Sequence, residues 1–297
     1  MSIFKKRGTP EAEQKRRIVA LFGDTHGGND HGLLSPDTQL PSFDREGNEY
    51  YISPQLNDIQ LYLWQLYTYH VDKCMELADG DEVIPEHDGD IAQGTKHLDE
   101  GLMSLNAYVQ QAIAEANMHP WLISEAVKTM RFIEGTQAHD GLGNSMSYTV
   151  AHQLQTLHPD KNIRCVPHAL MDVDGFKIDA SHHGPPPGSR SWLKGNEARF
   201  YLRDRMLREI QAGRKPADLY HRAHYHDLVI EELRVNGYKA TLIVTPSYTF
   251  PGAWTKQATK SVYEVTNGMI ALEIEDGKLR EIHELIERTD IRTREAL

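Results

Sequence analysis

The chain has 297 residues, 39% of them hydrophobic and 25% charged, with a formal net charge of -11. That length supports one large α/β domain with insertions or two small domains, and no apolar run approaches the roughly 20 residues that a transmembrane helix needs. The acidic balance disfavours a protein that coats nucleic acid through a broad basic face, but it leaves room for chemistry on a phosphodiester at bound cations, which reverse the potential locally.

In chain order, residues 1–16 read as a flexible arm whose Lys5, Lys6, Arg7, Lys15 and Arg16 are solvated rather than phosphate contacts. The stretch from Met1 to Arg17 has no apolar h-region, so a cytoplasmic setting is expected, with Cys74 and Cys165 as reduced core thiols. Ile18 to Phe22 is a continuous apolar run, the pattern of a buried strand, and it feeds a Gly-Asp turn. Residues 27–55, rich in Gly, Asn, Asp, Ser and Pro, read as a long loop overhanging the site. Leu56, Ile59, Leu63, Leu66, His70, Cys74 and Leu77 then recur at helical spacing, with a start at Ser53 and Pro54. Together, 27–78 form a loop-and-helix insertion, a candidate cap. His70 is expected to be a satisfied core histidine rather than a ligand.

Val83-Ile84-Pro85 lead into Asp88-Gly89-Asp90, and the spacing predicts helices over 98–116 and from Ser124 to Met130, then a short strand at Arg131 to Ile133. The second half is richer in strands. Gly-containing tight turns predict hairpins of 169–173 with 176–180, 228–230 with 240–244, and 269–274 with 279–285. A helix over 196–211 and a short strand over 217–220 complete it, inside a main domain of 17–290 with a tail of 291–297.

Five polar clusters each follow an apolar or β-favouring run: Gly23-Asp24-Thr25-His26, Gly89-Asp90, Gly135 to Asp140, His182-His183, and His224-Tyr225-His226. Carboxylate and imidazole donors of this kind suit hard or borderline divalent metals. One such pair among 16 histidines would mean little. Five in succession at strand ends point to a metal-dependent hydrolase.

Asp24-x-His26, Gly89-Asp90, the block from Gly135 to His139, His182 and Ala223-His224-x-His226 resemble the calcineurin-like metallophosphoesterase superfamily, whose pattern is DxH, GD, GNH[DE], H, GHxH. The resemblance implies a four-layer α/β/β/α sandwich with its ligands on loops at one end of two sheets. It implies two divalent ions (manganese, iron or zinc), with Asp24, His26 and His226 on the first, His182 and His224 on the second, and Asp90 bridging both. Asp88 competes with Asp90 for the bridge, and His183 with His182. The activity implied is hydrolysis of a phosphate ester by a metal-bound hydroxide, with a nucleotide or nucleic acid among the candidate substrates and no membrane partner.

The third cluster departs from the family pattern. It reads Gly135-Thr136-Gln137-Ala138-His139-Asp140, with no Asn after the Gly and the His two residues late. One solution has the Gln137 carbonyl or the Thr136 hydroxyl as a ligand and His139 as the catalytic acid-base group; the other makes His139 itself a ligand. The second cluster continues as Ile91-Ala92-Gln93-Gly94, without the arginine that would clamp a phosphomonoester dianion. A phosphodiester is therefore favoured over nucleotide or phosphoprotein monoesters. The competing class is a binding module on the same scaffold. Of the remaining residues, Tyr62, Trp64, Tyr67 and Tyr69 fit a helix packed on a sheet, Tyr248, Phe250 and Trp254 lie in a loop after a strand, and His221 and Arg222 are candidates to stand behind the ligands.

Overall fold

The computed structural model describes residues 15–96, 101–141, 145–186, 195–252 and 263–295. Most of the expected arm, the start of the helix expected over 98–116, and Trp254 lie outside the described residues. The described residues form a mixed α/β architecture of three sheets and four helices. No helix among them is long and apolar enough to cross a membrane.

The first sheet has the order β13-β12-β1-β4-β5-β6, made of β1 (Arg16–Phe22), β4 (Glu82–Asp88), β5 (Thr129–Ile133), β6 (Asn162–Val166), β12 (Glu264–Glu275) and β13 (Lys278–Asp290). β1, β4, β5 and β6 run parallel, and β12 and β13 close the edge antiparallel. The second sheet has the order β10-β11-β9-β8-β7, made of β7 (Ala169–Val173), β8 (Phe176–His183), β9 (Leu219–Ala223), β10 (Val229–Val235) and β11 (Tyr238–Val244). Its central strands β8, β9 and β11 are parallel.

The apolar run of β1 explains the packing. Alternate side chains of a strand face opposite ways, and both faces here are buried. Ile18, Ala20 and Phe22 join a core with Leu63, Tyr67 and Cys74 of α1 (Asp58–Ala78), Met118 and Trp121 of α2 (Ala107–Leu122), and Val150 and Leu154 of α3 (Ser145–Leu157). Val19 and Leu21 join a second core with Phe176, Ile178, Leu219 and Ile243 of the other sheet. A third core sets Ala198, Leu202 and Met206 of α4 (Asn196–Gln211) against Tyr220, Val229 and Leu242. The hairpin turns fall where their chemistry predicts, with Asp174-Gly175, Asn236-Gly237 and Asp276-Gly277 all at positive φ.

Several boundaries differ from the sequence reading. α1 starts at Asp58, because Asn57 and Gln60 form a reciprocal capping box there, not at Ser53 and Pro54. It is also the crossover helix that the parallel pairing of β1 and β4 requires, so its buried face belongs to the core and not to a cap. Within 27–55 lies a hairpin, β2 (Leu40–Phe43) with β3 (Glu49–Ile52), where the sequence read only loop. α2 begins after its Asn106 cap and ends at Leu122, later than 98–116. The helix expected from Ser124 to Met130 is instead a turn leading into β5, because strand pairing with β4 and β6 captures Thr129 onward. α3 and the extent of β6 were not anticipated: α3 buries only a few apolar residues in an otherwise polar segment. His70 is buried and paired with the Tyr248 hydroxyl at 2.8 Å, as read.

Candidate metal centre

The five polar clusters meet where β1, β4, β5, β8 and β9 end. Their convergence follows from parallel strands presenting their carboxyl ends on one side, where α/β sheets place ligand sites. Asp24 Oδ1 lies 3.3 Å from His226 Nε2 and 3.7 Å from His26 Nε2, and the two imidazole nitrogens are 3.2 Å apart. Asp90 Oδ2 lies 3.1 Å from His182 Nε2 and 3.9 Å from His224 Nδ1. Asp24 Oδ1 is also 3.9 Å from His182 Nε2, so the two sets adjoin. Asp90 belongs both to the set with His182 and His224 and to a further set with His26 and His139, whose donor atoms lie within 4.8 Å of one another. This shared position is what a bridging carboxylate requires.

The backbone is bent to achieve it. Asp24 (φ 49°), His26 (45°), Asp90 (49°), His224 (75°) and His226 (54°) all hold the left-handed conformation. The other non-glycine residues with positive φ among the described residues, Asp79, Asp174, Asn236 and Asp276, close a helix or a hairpin turn. Strain of this kind costs on the order of 1 kcal/mol or more per residue and persists only where the surroundings over-determine it, as at functional sites.

Gly89 (φ 75°) makes the approach possible, since a Cβ there would sit 2.5 Å from His182 Nδ1 and 2.6 Å from Gly135 Cα. Gly89→Ala should destabilise the fold by about 1–3 kcal/mol and displace His182. Urea denaturation and a zinc titration check both; unchanged stability and zinc affinity would refute the packing argument.

Each donor is oriented from behind. His182 Nδ1 donates to the Asp88 carbonyl at 2.5 Å, which leaves Nε2 facing the cluster. His224 N donates to Asp24 Oδ2 at 2.8 Å. Thr136 donates to Asp90 Oδ1 from both its amide (2.6 Å) and its hydroxyl (2.9 Å), so it anchors the carboxylate. Asp140 accepts from Gly135 N at 2.8 Å and from Ser147 Oγ, tying this loop to α3. His87, left unassigned by sequence, contacts Thr25 Oγ1 at 3.0 Å through Nε2, while Thr25 donates to the Ile91 carbonyl, so the first cluster is pinned to the second.

The charges reinforce one another. Burial alone would raise the Asp24 and Asp90 carboxyls, but His226, His26 and His182 hold Asp24 well below the usual range, and His182 and His224 do the same for Asp90. Conversely, burial disfavours the protonated imidazoles, yet Asp90 and Asp24 hold His182 well above its ordinary value, and Asp24 raises His226. Asp24 Oδ1 and His182 Nε2 are buried, and their near polar partners are other members of the cluster, as donors suited to a cation would have.

The remaining expected residues separate. Asp88 turns away between the sheets, while Asp90 enters the cluster. His183 is exposed and packs on the His224 ring at 4.5 Å between centroids, whereas His182 is buried among the donors. Gln137 is exposed. His139 donates from Nδ1 to the Gln93 carbonyl at 2.7 Å and stands edge-on to His26 at 4.5 Å. Burial, then His26, lowers it to about 4. A cleft of about 420 Å³ opens beside it, lined also by Lys96, Gln110, Gln137, Asp140 and Met146. Arg222 is committed elsewhere, to Asp179 at 2.6 Å and the Tyr201 hydroxyl at 2.7 Å.

No protein-family model matches the chain, and no curated protein matches it. Among solved structures, the chain is similar to the sulfate thiohydrolase SoxB of Thermus thermophilus in complex with glycerol, at 12% identity and a TM-score of 0.37 over 95% of this chain and 58% of that one. It is also similar to the Thermotoga maritima protein TM1076, at 12% identity and a TM-score of 0.31 over 93% of this chain and 99% of that one. Likenesses this distant decide neither fold nor chemistry.

Proposed function

We propose that this chain is a dinuclear-metal-dependent phosphoesterase of the calcineurin-like type, built as a four-layer α/β/β/α sandwich and acting in the cytoplasm on a phosphodiester. The observation that carries the reading is Asp90 on strained backbone, grouped with His182 and His224 on one side and with His26 of the adjoining set on the other. The donors fit the group: imidazole and carboxylate together suit manganese, iron or zinc. Asp24, His26 and His226 would hold one ion, His182 and His224 the other, with Asp90 between them. Such an ion pair, when bound, makes a solvent nucleophile available at neutral pH and offsets charge on the phosphoryl oxygens.

The chain's own groups supply the rest. Thr136 and the Asp88 carbonyl fix the orientation of Asp90 and His182, and His139 at the cleft moves the proton of the leaving group. Ile91, Ala92 and Gln93 after the bridge are buried, and Arg222 is engaged by Asp179 and Tyr201. With no guanidinium supplied from these positions, a substrate with one negative charge fits better than a dianion.

The test is metal analysis together with turnover of generic chromogenic mono- and diesters in manganese. About two ions at this centre and a higher kcat/KM on the diester are expected. A preference for the monoester would sink the substrate assignment, and metal-free, inactive protein would leave a binding module.

Metal affinity should also fall as pH falls. His182 and His226 hold their protons above the ordinary histidine range in the metal-free protein, so an ion must displace them. Below their raised values the competition strengthens; above them it vanishes. Calorimetric titration with zinc in buffers of different ionisation enthalpy would show proton release on binding, and equal heats across buffers would contradict it.

A further inference from the structure

Glu86 and Asp88 stand two residues apart on β4, so both project from the same face toward the second sheet, where His221 of β9 meets them. All three are fully buried, and their donor atoms lie within 4.8 Å of one another. Glu86 Oε2 contacts His221 Nδ1, and Asp88 Oδ2 lies 3.6 Å from the same nitrogen.

His221 Nε2 lies 3.1 Å from Thr245 Oγ1, which itself lies 3.3 Å from the Arg222 carbonyl. With its proton on Nε2 and given to that hydroxyl, His221 would present an Nδ1 lone pair to two carboxylates. A metal-bound histidine is held the same way, its other nitrogen donating to an oxygen behind it. Both oxygens of Asp88 and Oε1 of Glu86 are buried without a hydrogen-bond partner. The guanidinium of Arg222 donates to Tyr201, to Asp179 and to the Asp179 and His221 carbonyls rather than to this cluster. A proton on Glu86 would satisfy its contact with Nδ1 and leave Asp88 with nothing. A dication would satisfy all three groups and balance both carboxylates.

We propose that Glu86, Asp88 and His221 hold a further divalent cation, zinc by the match of one imidazole and two carboxylates, in a closed structural site between the sheets. The site stands apart from the proposed catalytic pair and abuts it through the Asp88 carbonyl that orients His182. It does not depend on the phosphoesterase reading, because it uses none of the same donor atoms.

Zinc is the probe. In crystals of the full-length chain grown with zinc, anomalous scattering at the zinc edge should show a peak enclosed by Glu86, Asp88 and His221. The double variant Asp24→Asn/Asp90→Asn, which disables the neighbouring centre, should keep about one ion per chain through brief chelation, because the site is enclosed. Glu86→Gln/Asp88→Asn should lose that ion alone. If this variant does not fold, the anomalous map of the unaltered chain still decides. No peak at this place, or no ion retained by Asp24→Asn/Asp90→Asn, would overturn the proposal in favour of a shared proton. An unchanged ion content in folded Glu86→Gln/Asp88→Asn would overturn it too.

Discussion

Replacing Asp90 by Asn is expected to lower kcat/KM by about 10³-fold or more, because removing several kcal/mol of charge stabilisation costs a factor of ten for each 1.36 kcal/mol. Asn keeps the size and one oxygen acceptor, so the two donors from Thr136, 2.6 and 2.9 Å from Oδ1, still find a partner. What disappears is the charge that two cations would share, and with it the attraction that keeps them close. Asp90 also holds His182 in the centre across 3.1 Å. The variant should therefore bind fewer ions as well as turn over slowly, and metal analysis beside steady-state kinetics checks both. Full activity with full metal content would remove the foundation of the functional reading.

The second large effect is expected at His139. Its Nδ1 proton is given to the Gln93 carbonyl, so the nitrogen left for chemistry is Nε2. Burial keeps the free group neutral near pH 7, since it is lowered to about 4. An approaching phosphate anion reverses that balance by favouring the imidazolium. His139→Ala should then lower kcat by about 10²–10⁴-fold, the usual contribution of a positioned acid or base, while the ions stay bound. The loss should be smaller for a nitrophenyl diester, whose leaving group needs little protonation, than for an alkyl diester. Equal losses on both substrates accompanied by lost metal would instead make His139 a ligand, consistent with its place beside His26 and Asp90.

Much of this centre was legible before any coordinates, and the residues explain why. Ile18 to Phe22 is apolar at every position, which only a strand buried on both faces needs, and a Gly-Asp turn after it places Asp24 at a strand end. Asp90 after β4 and His224 and His226 after β9 likewise follow strands, although those strands carry polar residues such as Glu86 and Arg222. The Asp-Gly and Asn-Gly turns marked the hairpins because their residues tolerate positive φ.

The choice between Asp88 and Asp90 was less accessible. Strand alternation sends residues two apart to the same side, yet Asp88 faces the inter-sheet core while Asp90 faces the centre. Gly89 at φ 75° and Asp90 at φ 49° break the alternation, and no composition rule announces that. By contrast, His182 keeps the ordinary alternation of β8, buried in step with Phe176, Ile178 and Ala180, which leaves His183 exposed.

By itself, then, the amino-acid sequence determined which donors exist and that each lies at or just past the end of a strand, because burial pattern and turn chemistry are local properties of a few neighbouring residues. Only the tertiary structure decided which of them share a cation-sized space, that Thr136 anchors Asp90, and that Glu86, Asp88 and His221 face one another across two sheets. Those relations join residues from 46 to about 200 positions apart, and they depend on strand order and backbone twist, which no short stretch of sequence encodes.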